Sequence, residues 1–190
     1  MTEQELLRDC VRRLNESGVT YMVTGSMASN AWGIPRTTHD LDFVLQLPPS
    51  QISKFASAFD DPDYFLDEAS VRSAYRPPHQ FNVIHIPSAL KADFWLLSGE
   101  PFEREMFHRR IQDTWFGQKM WIATAEDIVL HKLHWNRISP SERQRADIGG
   151  VIAVQKGKLD EGYLRRWASE MGLSKELEDA LAGKFKLKQT

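Results

Sequence analysis

Val23-Thr-Gly-Ser-Met-Ala-Ser-Asn-Ala-Trp-Gly33 and, shortly after it, Asp40-Leu-Asp-Phe-Val-Leu-Gln-Leu47 are the runs whose reading decides the fold. In the second run Leu41, Phe43, Leu45 and Leu47 fall on one face, and Asp40, Asp42, Val44 and Gln46 on the other. That alternation is the mark of a half-buried strand. The first run ends a short strand, Tyr21-Met-Val-Thr24, and passes through Gly25-Ser26 into a short helix. Ser26 is expected to cap that helix, Met27 to Trp32, and Gly33 to stop it. Strand, Gly-Ser turn, helix and acidic strand together predict an α+β fold.

Further elements extend on both sides. Thr2 with Glu5 reads as a capping box, followed by Leu6, Leu7, Cys10, Val11 and Leu14 at helical spacing up to Gly18. Pro48-Pro49-Ser50 breaks the acidic strand, and Ile52, Phe55, Ala56 and Phe59 mark a helix. Phe81 to Ile86 and Ala92 to Leu97 read as strands, and Trp115 to Lys119 as a hairpin. Thr124 with Asp127 starts a helix reaching about Trp135, and Ser139-Pro140-Ser141-Glu142 starts another with proline in its first turn. Tyr163, Leu164, Trp167, Ala168 and Met171 make an apolar stripe, and a last helix begins at Ser174. The expected organisation is an α+β core over residues 1–123, a small mixed β-sheet flanked by helices. A helical C-terminal region, residues 124–190, is expected to pack on it.

Composition narrows the class. The 190 residues are 42% hydrophobic and 26% charged, as in ordinary soluble domains. Lys+Arg 24 against Asp+Glu 26 leaves a net charge of −2, so no overall positive field gathers nucleic acid. One cysteine, Cys10, excludes a disulfide framework and a Cys-based zinc cluster, and fits a reducing compartment. The N-terminal stretch is too charged for a signal peptide, and no apolar run approaches ~18 residues. A folded cytoplasmic protein with no membrane association is expected.

Three features carry chemistry. Asp40 and Asp42 lie two apart on the expected strand, so both carboxylates leave one face. Such a pair repels itself unless a cation intervenes, and its oxygen donors suit Mg²⁺ or Mn²⁺. The same pair also reads as a solvated strand end. Gly25-Ser26 opens a helix whose N-terminus offers unpaired N–H groups to phosphate, or is simply a tight turn. Asp93 interrupts the apolar strand Ala92 to Leu97; it is paired, ligates a metal, faces a cleft, or points into water from an edge strand. Arg36 reads equally as a phosphate contact or a loop arginine.

Together, the Gly-Ser turn, the helix, Asp40-x-Asp42 and the later Asp93 resemble the DNA-polymerase-β-like nucleotidyltransferase superfamily. The likeness is to its small stand-alone members, the antibiotic nucleotidyltransferases and the nucleotidyltransferase toxins of abortive-infection type. That resemblance implies a nucleotidyltransferase core, with Gly25 and Ser26 as the phosphate-binding turn. It implies Asp40, Asp42 and Asp93 as catalytic metal ligands for two divalent cations, Mg²⁺ or Mn²⁺. Thr124-Ala-Glu-Asp-Ile-Val-Leu-His-Lys-Leu133 resembles the toxin-type helix whose lysine, here Lys132, contacts the nucleotide. Asp147, within Arg143-Gln-Arg-Ala-Asp-Ile148, resembles a further polar motif. The implied reaction moves a nucleotidyl group from a nucleoside triphosphate such as ATP to a hydroxyl of a small molecule, a tRNA end or a protein. A toxin-type member would also have a cognate antitoxin as partner.

Two other readings stay open: a non-catalytic nucleotide-binding or toxin–antitoxin module, and a metal-dependent glycosyltransferase. The latter is disfavoured because the acidic pair comes by residue 42, without room upstream for a nucleotide-binding α/β half. His131 and His134, Trp32 and Trp95, Cys10, Arg109-Arg110 and the Lys-rich end from Lys184 to Lys188 read as core or solvated surface.

Overall fold

The structure, a computed structural model, describes residues 1–115 and 117–185. Phe116, in the expected hairpin turn, and Lys186 and Lys188 lie outside the described residues. In chain order the elements are α1 (Glu3–Ser17), β1 (Thr20–Val23), α2 (Gly25–Trp32), β2 (Asp42–Gln46), α3 (Ile52–Ala58), β3 (Tyr64–Phe65), α4 (Glu68–Ser73) and β4 (Gln80–His85). There follow β5 (Leu90–Leu96), α5 (Pro101–Arg109), β6 (Ile111–Trp115), β7 (Gln118–Ile122), α6 (Ala125–Ile138), α7 (Glu142–Val154), α8 (Glu161–Glu170) and α9 (Ser174–Leu181). Among the described residues no helix is long and apolar enough to cross a membrane.

The chain divides into two compact units. Of the described residues, one comprises those within 1–24 and 38–122; the other comprises 25–37 and 123–185. Thus α2 and the loop after it group with the C-terminal helices, although both neighbouring strands belong to the first unit.

The first unit holds a mixed sheet in the order β3-β4-β5-β2-β1-β7-β6. Its centre is the parallel pair β2–β5, flanked by antiparallel β4–β5 and β1–β2. Phe43, Leu45, Phe81, Val83, Ala92, Phe94 and Leu96 of these strands are buried. Phe94 stacks on Phe43 at 4.9 Å and on Phe81 at 5.5 Å, and Phe55 of α3 meets Phe94 edge-on at 5.3 Å. Burial of one such ring is worth roughly 1.5–3 kcal/mol. A register slip that turned these rings outward is therefore strongly disfavoured. Helix α1 has the expected capping box at Thr2 and Glu5, and Gly18 ends it in the left-handed conformation. Its Leu6, Leu7, Cys10, Val11 and Leu14 are buried, so Cys10 is a packing residue.

The second unit is built around α6, which packs against α2, α7, α8 and α9. Ile128, Val129, Leu130 and Leu133 of α6 are buried, as are Tyr163, Leu164, Trp167 and Ala168 of the expected α8 stripe. Thr124 caps α6 as expected. Ser141, rather than Ser139, caps α7, so Pro140 precedes the helix instead of sitting in its first turn. A buried polar set reinforces the start of α6: Asp127 accepts hydrogen bonds from Tyr163 Oη (2.5 Å) and Thr124 Oγ1 (2.7 Å).

Gly33, just after α2, lies against the backbone of α7. A Cβ there would lie 2.8 Å from the Val151 nitrogen and 3.0 Å from both Gly150 C and Ser29 O, all backbone atoms that cannot rotate away. Gly33→Ala is expected to cost about 1–3 kcal/mol of overpacking. In urea unfolding this appears as a lower midpoint with an unchanged slope.

Candidate active site

In the strand unit the register of the central strands assembles the acids. Asp42 on β2 is the Cα partner of Asp93 on β5, and Asp93 is in turn the partner of Asn82 on β4. Neighbouring strands lie ~4.8 Å apart, and cross-strand partners project from one face. Because Phe43, Phe94 and Phe81 occupy the buried face, the row Asn82–Asp93–Asp42 stands on the other. The Asp93 N–H donates to Leu41 O (2.8 Å), and the Thr24 N–H to Asp42 O (3.0 Å), fixing the backbone around both acids.

Asp40 differs from expectation. It precedes β2 rather than opening it, is exposed, and its N–H donates to Thr38 Oγ1 (3.2 Å). The strand begins at Asp42 because pairing begins there: Asp42 has Asp93 and Phe43 has Val23 as partners. Leu41 is still buried, and Asp42 is half-buried at the first strand position.

Asp93 is 8% exposed, so its charge needs compensation. Asn82 Nδ2 donates to Oδ1 (2.8 Å), and Lys91 Nζ donates to Oδ1 (3.0 Å) and Oδ2 (2.9 Å). Neither Lys91 nor Asn82 was among the expected site residues. Lys91 was detectable in principle, because residues two apart on a strand share a face. Asn82 was not, because its place depends on the β4–β5 register. Among the described residues no three His, Cys, Asp or Glu side chains form a group that could hold a metal ion. Asp42 and Asp93, which the register brings together, offer the oxygen donors that a hard divalent cation takes, while Asp40 stands outside the strand.

In the helical unit a second set forms around Asp147. Arg36 donates through Nε to Oδ1 (2.7 Å) and through Nη2 to Oδ2 (2.8 Å) of Asp147, a bidentate pair. The same Nη2 donates to Ser26 Oγ (2.8 Å). Lys132 Nζ reaches Asp147 Oδ2 (2.9 Å) and Gln144 Oε1 (3.1 Å). Ser26 thus lies inside α2 with an arginine on its hydroxyl, instead of capping the helix as expected. Gly25, the first residue of α2, has φ 62, a left-handed backbone suited to glycine. Asn30 clamps the loop reciprocally, its Nδ2 donating to Arg36 O (2.7 Å) and its Oδ1 accepting from the Arg36 N–H (3.1 Å). Burial opposes the charge on Asp147, but the Arg36 hydrogen bonds and the charge of Lys132 outweigh it and hold the carboxyl below its ordinary range.

The features read as core or surface mostly stay so. Trp32 Nε1 donates to Ala123 O (2.7 Å). His131 Nε2 accepts from Trp135 Nε1 (3.0 Å), and burial and the adjacent Lys132 push its pKa down to about 3, so the ring is neutral. Arg110 is not simply solvated: its guanidinium lies over the Phe107 and Trp121 rings at 4.2 and 5.0 Å.

Structural comparison places this architecture among nucleotidyltransferase folds. The antibiotic-resistance factor ANT(2'')-Ia, in its crystal structure with adenylyl-2''-tobramycin, superposes with a TM-score of 0.62 over 90% of this chain and 98% of its own, at 10% identity. Its solution structure gives 0.57 over 93% and 98%, also at 10% identity. An antigenic nucleotidyltransferase-like protein from Paracoccidioides brasiliensis gives 0.50 over 98% and 94%, at 14% identity. No family model and no curated protein matches the sequence.

Asp147 is the testable joint of the helical unit. Asp147→Asn leaves the guanidinium of Arg36 and the ammonium of Lys132 without their shared counter-charge, at a cost of about 3–5 kcal/mol. The native contribution is fully present above the unfolded aspartate pKa, ~3.9, and is lost as pH falls through the lower folded value. Urea midpoints measured from pH 7 to pH 2 should therefore show a shallower acid decline in the variant.

Proposed function

We propose that this chain is a metal-dependent nucleotidyltransferase, moving a nucleoside monophosphate from a nucleoside triphosphate to an acceptor hydroxyl. The observation that carries the reading is the in-register juxtaposition of Asp42 and Asp93 on β2 and β5, in a fold shared with nucleotidyltransferases. Asp40 and Asp42 would hold Mg²⁺ or Mn²⁺, with Asp93 as a further ligand or as the general base; when bound, the cation would neutralise phosphate charge and stabilise departing pyrophosphate.

The acceptor oxygen attacks the α-phosphorus as the bond from that phosphorus to the β-phosphate bridging oxygen breaks. Pyrophosphate leaves with the electron pair, and the hydroxyl proton passes to Asp93. Of about four lone-pair sites on a carboxylate, Asn82 and Lys91 use three on Asp93, leaving one on Oδ2 for that proton. Gly25 and Ser26 contribute to the phosphate seat, with Arg36 and Lys132 supplying positive charge. Asp147 would position these two cations by pairing with both. The adenylylated aminoglycoside bound to ANT(2'')-Ia favours a small hydroxylated molecule as acceptor, with a tRNA end and a protein side chain as the other candidates.

The test uses each α-³²P nucleoside triphosphate with Mg²⁺, following label into aminoglycosides, tRNA or the protein itself. Wild type should transfer label, and Asp42→Asn should abolish transfer. Asp93→Asn should slow it ~10²–10⁴-fold, the usual worth of general-base assistance. Transfer by both variants at the wild-type rate would place the chemistry elsewhere.

A further inference from the structure

Two side chains hold the Asp93 carboxylate from different strands. Asn82, its cross-strand partner on β4, donates through Nδ2 to Oδ1 (2.8 Å). Lys91, earlier on β5, donates through Nζ to Oδ1 (3.0 Å) and to Oδ2 (2.9 Å). Oδ1 thus accepts two hydrogen bonds, which fill its lone pairs, whereas Oδ2 accepts one and keeps one lone pair open. The Lys91 side chain is 50% exposed. An ion pair so open to water adds little to folding, so the fold does not account for a lysine held on both oxygens.

Resting on the nucleotidyltransferase reading and on Asp93 as its base, we propose that Lys91 and Asn82 are positioning residues that act on transfer through Asp93. By filling Oδ1 and one side of Oδ2 they stop the carboxylate from turning about its Cβ–Cγ bond, and they leave Oδ2 to take the proton. In the step itself the acceptor O–H bond breaks and its proton goes to the open lone pair of Oδ2. The acceptor oxygen bonds to the α-phosphorus, and the bond from that phosphorus to the β-phosphate bridging oxygen breaks, its electron pair leaving with pyrophosphate. Lys91 and Asn82 neither gain nor lose a proton. Without them the carboxylate turns, and a misplacement of ~1 Å costs up to ~10²-fold in rate. Lys91 touches both oxygens and Asn82 only one, so the loss is larger for Lys91.

The experiment follows α-³²P label, with Mg²⁺, from each nucleoside triphosphate into tobramycin, tRNA, the protein itself or free nucleoside monophosphate. Triphosphate affinity is measured separately by calorimetry. Lys91→Met should lower kcat ~10–10²-fold, and Asn82→Ala less. KM and Kd for the triphosphate should stay within about 2-fold of wild type in both. In an Asp93→Asn background Lys91→Met should cost nothing further, because residues that act as a unit are not additive. A folded Lys91→Met protein that transfers label at the wild-type rate would overturn the role of Lys91 while leaving nucleotidyl transfer intact. A raised KM with unchanged kcat would overturn it equally, making Lys91 a phosphate contact. So would a full multiplicative loss on top of Asp93→Asn. Should Lys91→Met not fold, Lys91→Gln and Asn82→Ala decide by the same comparisons. No label moved by wild type into any of these products would overturn the nucleotidyltransferase reading itself, and the inference with it.

Discussion

The parallel register between β2 and β5 is the constraint on which the candidate chemistry depends. It is set on the buried face, where Phe43 and Phe94 stack at 4.9 Å and Phe55 closes over Phe94. Strand geometry then leaves no choice about the opposite face: the residues before Phe43 and Phe94 are Asp42 and Asp93, and they emerge side by side. Apolar packing thus holds two carboxylates at cross-strand distance, with the Lys91 ammonium on Asp93.

The helical unit solves a related problem in the opposite sense. Here one buried acid, Asp147, collects two cations from separate parts of the chain, Arg36 and Lys132. Desolvating three charges is costly, and the bidentate geometry together with Gln144 and Ser26 as further partners offsets that cost. The arrangement also ties the loop after α2 to α6 and α7. Gly33 and Gly150 permit it by letting the backbones of that loop and α7 approach closely.

Local patterns were legible in the sequence. Thr2 and Glu5 announced α1, the alternation from Leu41 to Leu47 announced the faces of β2, and Thr124 announced α6. Each depends on residues within a turn or two of one another. What was not legible depends on distant partners. Asp40 looked like a strand residue because alternation continues through it, but the ladder that defines the strand stops at Asp42. Ser26 looked like a helix cap because Ser is a favoured N-cap residue, whereas Arg36 donates to its hydroxyl. Asp147 lies 111 residues from Arg36, and no spacing rule connects them. The role of Asn82 waits on the antiparallel register of β4 and β5.

The reciprocal clamp between Asn30 and Arg36 has a consequence for chain length. Two hydrogen bonds between one side chain and one residue's backbone close a small ring that includes Gly33, Ile34 and Pro35. Adding or deleting a residue within that ring would break both bonds and carry the guanidinium of Arg36 away from Asp147. The stretch is therefore closed to insertions and deletions, whether they arise by drift or by engineering. Gly157 is the opposite case: its φ is 77, and a Cβ there would meet nothing within 4 Å. Between α7 and α8, then, the polypeptide can be lengthened, and a reporter peptide spliced there would leave the geometry around Asp147 undisturbed.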